Sequence, residues 1–205
     1  MAQRTRNAPV QSRSKETVER ILDATARILE QRGYGGLTTN HVAAEAGVSV
    51  GSLYRWFADK QSLVEALRQR TNDRILAELS AAMVATAPLP SREAVGAVVN
   101  ALVEQLREHA AVVGALLRES PMGTHQNVLP DVEQRLAGYV RVFVLQHAPE
   151  LGDSERETRI HLAMGITLAA CMRAVFDCPD GVDPERLVTM TADLLALGLT
   201  VPGPS

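Results

Sequence analysis

The sequence predicts an all-α protein of about nine helices. Three observations carry this. No stretch alternates apolar and polar residues over a useful length, so no strand is predicted. Apolar residues instead recur at i, i+3, i+4 and i+7 in one segment after another. Gly and Pro punctuate the gaps, at Gly33, Gly47, Ala87-Pro88-Leu89-Pro90, Pro121 to Pro130, Pro149 to Asp153, and Pro179 to Pro184.

Residues 1–15 hold Arg4, Arg6, Arg13 and Lys15 and no acidic residue. With Pro9 among them, residues 1–14 read as a flexible basic arm. Val18, Ile21, Leu22, Thr25, Ile28 and Leu29 then give a first helix over 15–32, and Gly33 stops it. Val42, Ala43 and Ala46 give a short second helix, with Thr39 as its expected N-cap and Gly47 as its left-handed C-cap. Ser49 is placed to cap a third helix. Its Leu53 and Phe57 lie four apart and face inward, while Val50 and Tyr54 lie on a neighbouring face. A helix of about nine residues does not hold together alone in water, so Leu53 and Phe57 are its anchor.

Asp59 is placed to cap a fourth helix that opens on Lys60. Leu63, Val64, Leu67, Ile75, Leu76 and Leu79 carry its stripe to about Thr86. The polar stretch Arg68–Arg74 in its middle marks the expected exit from the N-terminal domain. Ser91 is the expected cap of a fifth helix, with Val95, Val98, Val99, Leu102 and Leu106 inward. His109 to Ser120 reads as a short helix around Val112, Val113, Leu116 and Leu117. Asp131 to His147 turns Val132, Leu136, Tyr139, Val140, Phe143 and Val144 inward. Ser154 to Phe176 does so with Ile160, Ala163, Met164, Thr167, Leu168, Cys171 and Val175. Pro184 to about Leu199 closes the series with Leu187, Val188, Thr191, Leu194 and Leu195. The last two helices are rich in small residues (Ala163, Gly165, Ala169, Ala170, Ala192, Ala196, Gly198), which permit close helix approach. Two such helices from each of two chains would make a four-helix interface; alternatively the stripes only close the chain's own core.

Charge is divided unevenly. Residues 1–70 carry +4 and residues 71–205 carry −7, so the positive field lies on the N-terminal segment. No apolar run reaches the ~18–20 residues of a membrane span, and the polar start from Met1 to Lys15 does not read as a signal peptide. Two cysteines, Cys171 and Cys178, make no disulfide framework and read as small buried hydrophobes. The expectation is a cytoplasmic, bacterial-type protein without a membrane partner. His41, His109, His125, His147 and His161 have no ligand-like spacing, so no metal and no cofactor are expected. No nucleophile elbow or Gly-rich phosphate loop occurs, so no enzyme is expected.

The most informative stretch is 38–60. Two helices joined by a short Gly-containing turn form a helix-turn-helix, whose second helix enters the DNA major groove. Three of the chain's seven aromatic residues, Tyr54, Trp56 and Phe57, fall within four positions of it. Thr39, Ser49 and Ser52 offer hydroxyls at helix N-termini, where phosphates bind. Tyr54 offers one at the end of a rigid ring. Lys60 places a cation at a helix start, against the dipole, where an external anion would offset it. Base reading falls to Asn40, which can pair with adenine, and to Val50, Gly51, Ser52 and Arg55. Trp56 either packs on the first helix or lies along the DNA backbone.

From Gly33-Tyr34-Gly35-Gly36-Leu37-Thr38-Thr39 through Ala46-Gly47-Val48-Ser49, Leu53-Tyr54, Phe57 and Lys60, residues 33–67 resemble the DNA-binding domain of the TetR family of bacterial transcriptional regulators. The resemblance runs from about Ser14 to Leu67, roughly a quarter of the chain. It implies backbone-phosphate contacts at Thr39, Tyr54 and Lys60, and dimerisation through the final helices. The family position matching Asn40 is often Arg or another polar residue. The expected organisation is a flexible basic arm (1–14), a helix-turn-helix domain (15–60), a connecting helix (61–86) and a helical ligand-binding and dimerisation domain (87–205).

The expected function is a homodimeric, ligand-responsive regulator, a repressor released from a palindromic DNA operator by a small apolar molecule. His109, Leu116, Leu117, Tyr139, Phe143, Met164, Leu168 and Met172 are the candidates for lining its effector site, and each also reads as plain core. Two alternatives stand beside this: a ligand-blind DNA-binding or architectural protein, and a helical enzyme or small-molecule carrier with an incidental helix-turn-helix. The lack of any catalytic constellation counts against the latter.

Overall fold

The structure, a computed structural model, describes residues 8–119 and 130–200. Arg4 and Arg6 of the basic arm, and the loop expected at Pro121, lie outside the described residues. Those described form nine α-helices and no strand: α1 (Ala8–Gly36), α2 (Thr39–Ala46), α3 (Val50–Tyr54), α4 (Lys60–Thr86), α5 (Ser91–Glu108), α6 (Ala110–Glu119), α7 (Pro130–His147), α8 (Asp153–Phe176) and α9 (Pro184–Thr200).

α1 starts at Ala8, earlier than the expected Lys15, so part of the arm is helical. Pro9 falls in the first turn, where its missing N–H is no loss. Gly33, at φ 63 and ψ −176, breaks the helix where the sequence placed its end. A non-glycine residue rarely takes that conformation.

The helices sort into two compact units. One comprises Met1–Thr71 with Ala111–Glu119, and the other Asn72–Ala110 with Ser120–Ser205. The boundary between the units thus falls within the continuous helix α4, inside the polar Arg68–Arg74 stretch.

The first unit is built on Ile21, Leu29, Leu37, Val42, Leu53, Phe57, Leu63 and Leu67. Arg70 Nη1 ties α4 to α1 by donating to Asp23 Oδ1 at 2.7 Å and Glu19 Oε2 at 3.0 Å. Arg27 joins α1 to α2 through Glu45 at 2.7 Å. Val112 and Ala115 of α6 complete this core, with Leu116 packed against it. That differs from the expected division, which put 87–205 in a single domain. Periodicity identifies the apolar face of α6 but not the core that face enters.

In the second unit α8 packs against α5, α7 and α9, and α5 packs against α9. Val99, Leu102, Leu106, Ile160, Cys171 and Leu195 are buried there. Arg92 pairs with Asp193 at 2.7 Å between α5 and α9, and Arg141 pairs with Glu157 between α7 and α8. α5 has Pro90 at its N-cap with no side-chain cap bond, so Ser91 is its first residue and not the expected cap. α8 is long and apolar enough by length and composition to cross a membrane, although Arg159 and Arg173 keep its uncut stretch, 160–172, short of a span, as expected from the sequence. In the fold one face of it packs on three helices.

Candidate nucleic-acid interface

The N-cap of α2 is Thr38, not Thr39: its hydroxyl accepts from the His41 N–H at 3.2 Å. This one-residue difference frees the Thr39 hydroxyl, which lies 3.2 Å from the Tyr54 hydroxyl and links α2 to α3. Gly47 closes α2 at φ 65, its N–H turned to Ala43 and Ala44 carbonyls. Ser49 caps α3 as expected, accepting from the Ser52 N–H at 3.1 Å, with the two hydroxyls 2.8 Å apart.

α3 has five residues rather than about nine, and Leu53 is its buried residue. The chain continues as a turn in which the Trp56 and Phe57 N–H groups both donate to the Leu53 carbonyl, at 2.9 and 3.0 Å. Phe57 is thereby buried beside Leu53 in the core. Truncating fully buried Leu53 to Ala would cost about 2–5 kcal/mol and unseat the helix.

With the anchors inward, Asn40, Ser49, Val50, Gly51, Tyr54, Arg55 and Trp56 are exposed, while Thr39 and Ser52 are half-buried. Tyr54 is 51% exposed, a large value for an aromatic ring with an ordered hydroxyl partner. A Cβ added at Gly51 would meet no atom within 4 Å, so internal packing does not demand glycine there.

Lys60 opens α4 as expected, and its ammonium has a partner within the protein. Its Nζ donates to the Tyr34 carbonyl at 2.6 Å and lies 3.6 Å from the centre of the Tyr34 ring. The cation that would oppose the helix dipole is thus offset within the protein. Sequence reasoning gave Tyr34 no role; its position just past the Gly33 break was the available signal. Asp59 caps α4 as expected, accepting from the Ser62 N–H at 2.7 Å.

The second unit holds a cavity of about 350 Å³ walled by α4, α5, α7, α8 and α9. Of the eight expected effector contacts, Tyr139, Phe143 and Met164 line it, with Val99, Leu102, Leu136, Leu195 and others. Leu168 and Met172 lie farther along α8 and do not line it, because its wall on that helix is Ala163, Met164 and Thr167. His109, the C-cap of α5, does not line it either. Leu116 and Leu117 belong with α6 to the other unit. His147, absent from the expected set, lines the cavity and stacks on Phe143 with centroids 4.2 Å apart.

Neither cysteine forms a disulfide. Burial pushes the Cys171 thiol up to about 12. Among the described residues no group of three or more His, Cys, Asp or Glu is placed to hold a metal ion.

A family model described as "Bacterial regulatory proteins, tetR family" matches residues 21–67. An HTH-type transcriptional regulator of Bacillus subtilis, YvkB, is 45% identical over 53 residues, covering 26% of this chain and 28% of that protein. The HTH-type transcriptional repressor KstR of Mycolicibacterium smegmatis is 39% identical over 71 residues, covering 35% of each. These matches span about a third or less of the relatives' length. The fold likeness extends farther. A TetR-family transcriptional regulator from Streptomyces coelicolor superposes with TM-score 0.61 at 25% identity, covering 89% of this chain and 97% of that one. A protein of unknown function from Rhodococcus sp. RHA1 does so with TM-score 0.69 at 23% identity, covering 90% and 96%. Residues 21–67 thus match the helix-turn-helix domain of the TetR family of bacterial regulatory proteins.

Proposed function

We propose that this protein is a transcriptional regulator that binds a palindromic DNA operator as a homodimer and is released by a small apolar molecule in the second unit's cavity. The observation that carries the reading is the helix-turn-helix surface. Thr39 and Tyr54 join its two helices by their hydroxyls, and Asn40, Val50, Gly51 and Arg55 stand exposed. In this reading Thr39, Ser49 and Tyr54 touch phosphates and set register. Asn40, Val50, Gly51, Ser52 and Arg55 face base edges. Lys60 reaches phosphate only by leaving Tyr34.

The dimer reading rests on α8 and α9. Leu162, Leu194 and Leu197 are 61%, 62% and 60% exposed, and Ile166 and Met190 are exposed with them. Large apolar side chains left outside the chain's own core on two adjacent helices suit a second copy of the same pair. A two-fold dimer would set its recognition helices about 34–36 Å apart, in successive major grooves.

Release is assigned to α4. It runs from Lys60 to Thr86, and its Met83, Val84 and Thr86 line the cavity. A ligand that shifts this helix alters the seat of the recognition helix. A hundred-fold loss of operator affinity requires about 2.7 kcal/mol of differential ligand affinity between the two arrangements. Repression rather than activation is favoured by the KstR relatives, which are described as repressors.

The test is a gel shift on DNA flanking the protein's own gene, with and without metabolite extract. The expected result is a shift on a palindrome that some extract relieves. A shift that no extract relieves would leave a ligand-blind binder; no shift on any flank would leave a small-molecule carrier.

A further inference from the structure

The cavity offers hydrogen-bond acceptors and almost no donors. Among the described residues no Asp, Glu, Lys or Arg lines it, and the polar side chains there are Thr86, Tyr139, Gln146, His147 and Thr167. Thr86 Oγ1 donates its proton to the Ala82 carbonyl at 2.8 Å, and Thr167 Oγ1 to the Ala163 carbonyl at 2.7 Å. Ser80 Oγ donates to the Leu76 carbonyl at 2.6 Å. That leaves Ser80 Oγ as the acceptor for the Tyr139 hydroxyl at 2.9 Å, so the Tyr139 proton is committed as well. His147 Nδ1 lies 2.9 Å from the Phe143 carbonyl. A carbonyl only accepts, so Nδ1 carries a proton, and the neutral form with that tautomer has its lone pair on Nε2. The Gln146 amide, on an exposed residue, is the exception.

We propose that this cavity takes an uncharged, mainly aliphatic molecule bearing a hydroxyl group, that is, an apolar alcohol. The proposal rests on the reading of the cavity as the effector site and names its ligand class. A hydroxyl supplies the donor that the lining oxygens and Nε2 lack. A ketone presents a carbonyl to other acceptors and is buried unpaired. A carboxylate would be desolvated with no cation or donor set to meet it. An alkylammonium would be buried with no carboxylate. At about 350 Å³ the cavity is at the small end of the range for ligand sites, which suits a medium-length chain.

The experiment is calorimetric titration of the full-length protein, without DNA, at one fixed pH. The probes are 1-decanol, decane, 2-decanone, decanoate and decylamine. 1-Decanol should bind about ten-fold or more tightly than decane or 2-decanone, with decanoate and decylamine weaker still. Decanoate or 2-decanone binding as tightly as 1-decanol would overturn the proposal, and so would absence of 1-decanol binding. Thr86→Val, Tyr139→Phe, His147→Phe and Thr167→Val each remove one acceptor. The preference for alcohol over alkane should vanish in at least one of them; a preference unchanged in all four overturns the assignment. The titration contains no DNA, so the regulatory reading can fail separately: 1-decanol binding as expected with an operator shift indifferent to it would remove regulation and leave the ligand class standing.

Discussion

Lys60→Met decides whether the Lys60 ammonium serves the fold or a phosphate. The substitution keeps the apolar stem and deletes the charge. What is lost is a charge-assisted bond to the Tyr34 carbonyl at 2.6 Å and a cation–ring contact at 3.6 Å. Hydrogen bonds to charged groups contribute about 1.5–3 kcal/mol, and a partly exposed cation–π contact about 0.5–1 kcal/mol. Against this, a cation at a helix N-terminus is unfavourable by about 0.3–1 kcal/mol, and water screens a half-buried group. The net expectation is a loss of about 1–3 kcal/mol from the first unit. Trp56, the chain's single tryptophan, lies in that unit, so its fluorescence during urea unfolding reports the right transition. With a slope of about 2 kcal/mol/M, the midpoint should fall by about 0.5–1.5 M in the absence of DNA. An unchanged midpoint together with weaker binding to all DNA sequences would refute this reasoning and assign the ammonium to phosphate.

Four further outcomes are expected. Tyr54→Phe, which removes the hydroxyl shared with Thr39, should weaken binding to specific and random DNA alike by anisotropy titration; a loss confined to the specific site would contradict a phosphate role. Asn40→Ala should cost about 1–3 kcal/mol at one base pair per half-site and little on random DNA, and equal losses would remove it from the readers. Gly47→Ala forces a side chain to φ 65 with no atom within 4 Å to clash with it, so the cost is backbone strain of about 1–2 kcal/mol; a thermal melt matching the parent would contradict it. Cys171, with its thiol pushed up to about 12, should resist alkylation at pH 8 while half-buried Cys178 reacts, and two equivalents of label on the native protein would refute the burial argument. The same shift favours the neutral thiol in the folded state. Its contribution is therefore complete below the ordinary thiol range and is lost as pH rises from about 9 toward about 12.

Local chemistry was legible where one residue determines one backbone feature. Gly33 and Gly47 hold positive φ because a side chain there would be strained, and Ser49 and Asp59 cap because each precedes a helical run with an open N–H to meet. Capping was misplaced by one residue at Thr38-Thr39, where both neighbours can do the job and only the register of Leu37, buried just before, decides. At Ser91 the fixed φ of Pro90 starts the helix without a side-chain oxygen. What the sequence could not show was destination. The apolar stripe of α6 reads the same whichever core it enters, and Leu116 and Leu117 were grouped with the effector site for that reason. The bond from Lys60 to Tyr34 spans twenty-six positions and has no periodic signature. Tyr139, Phe143 and Met164 were identifiable as inward-facing; that the space between them stays open depends on helix placement.

The part of the chain that forms the first unit is not contiguous. Residues up to Thr71 leave the ribosome first, but Val112 and Ala115, which close the same core, follow only after the intervening stretch of about forty residues. At ~5–20 residues per second that is a wait of roughly 2–8 s. Throughout it the nascent helix-turn-helix carries an uncovered apolar face. A chaperone that holds such faces would meet this segment before its own chain supplies the cover, and a message truncated ahead of codon 111 would leave the face uncovered for good.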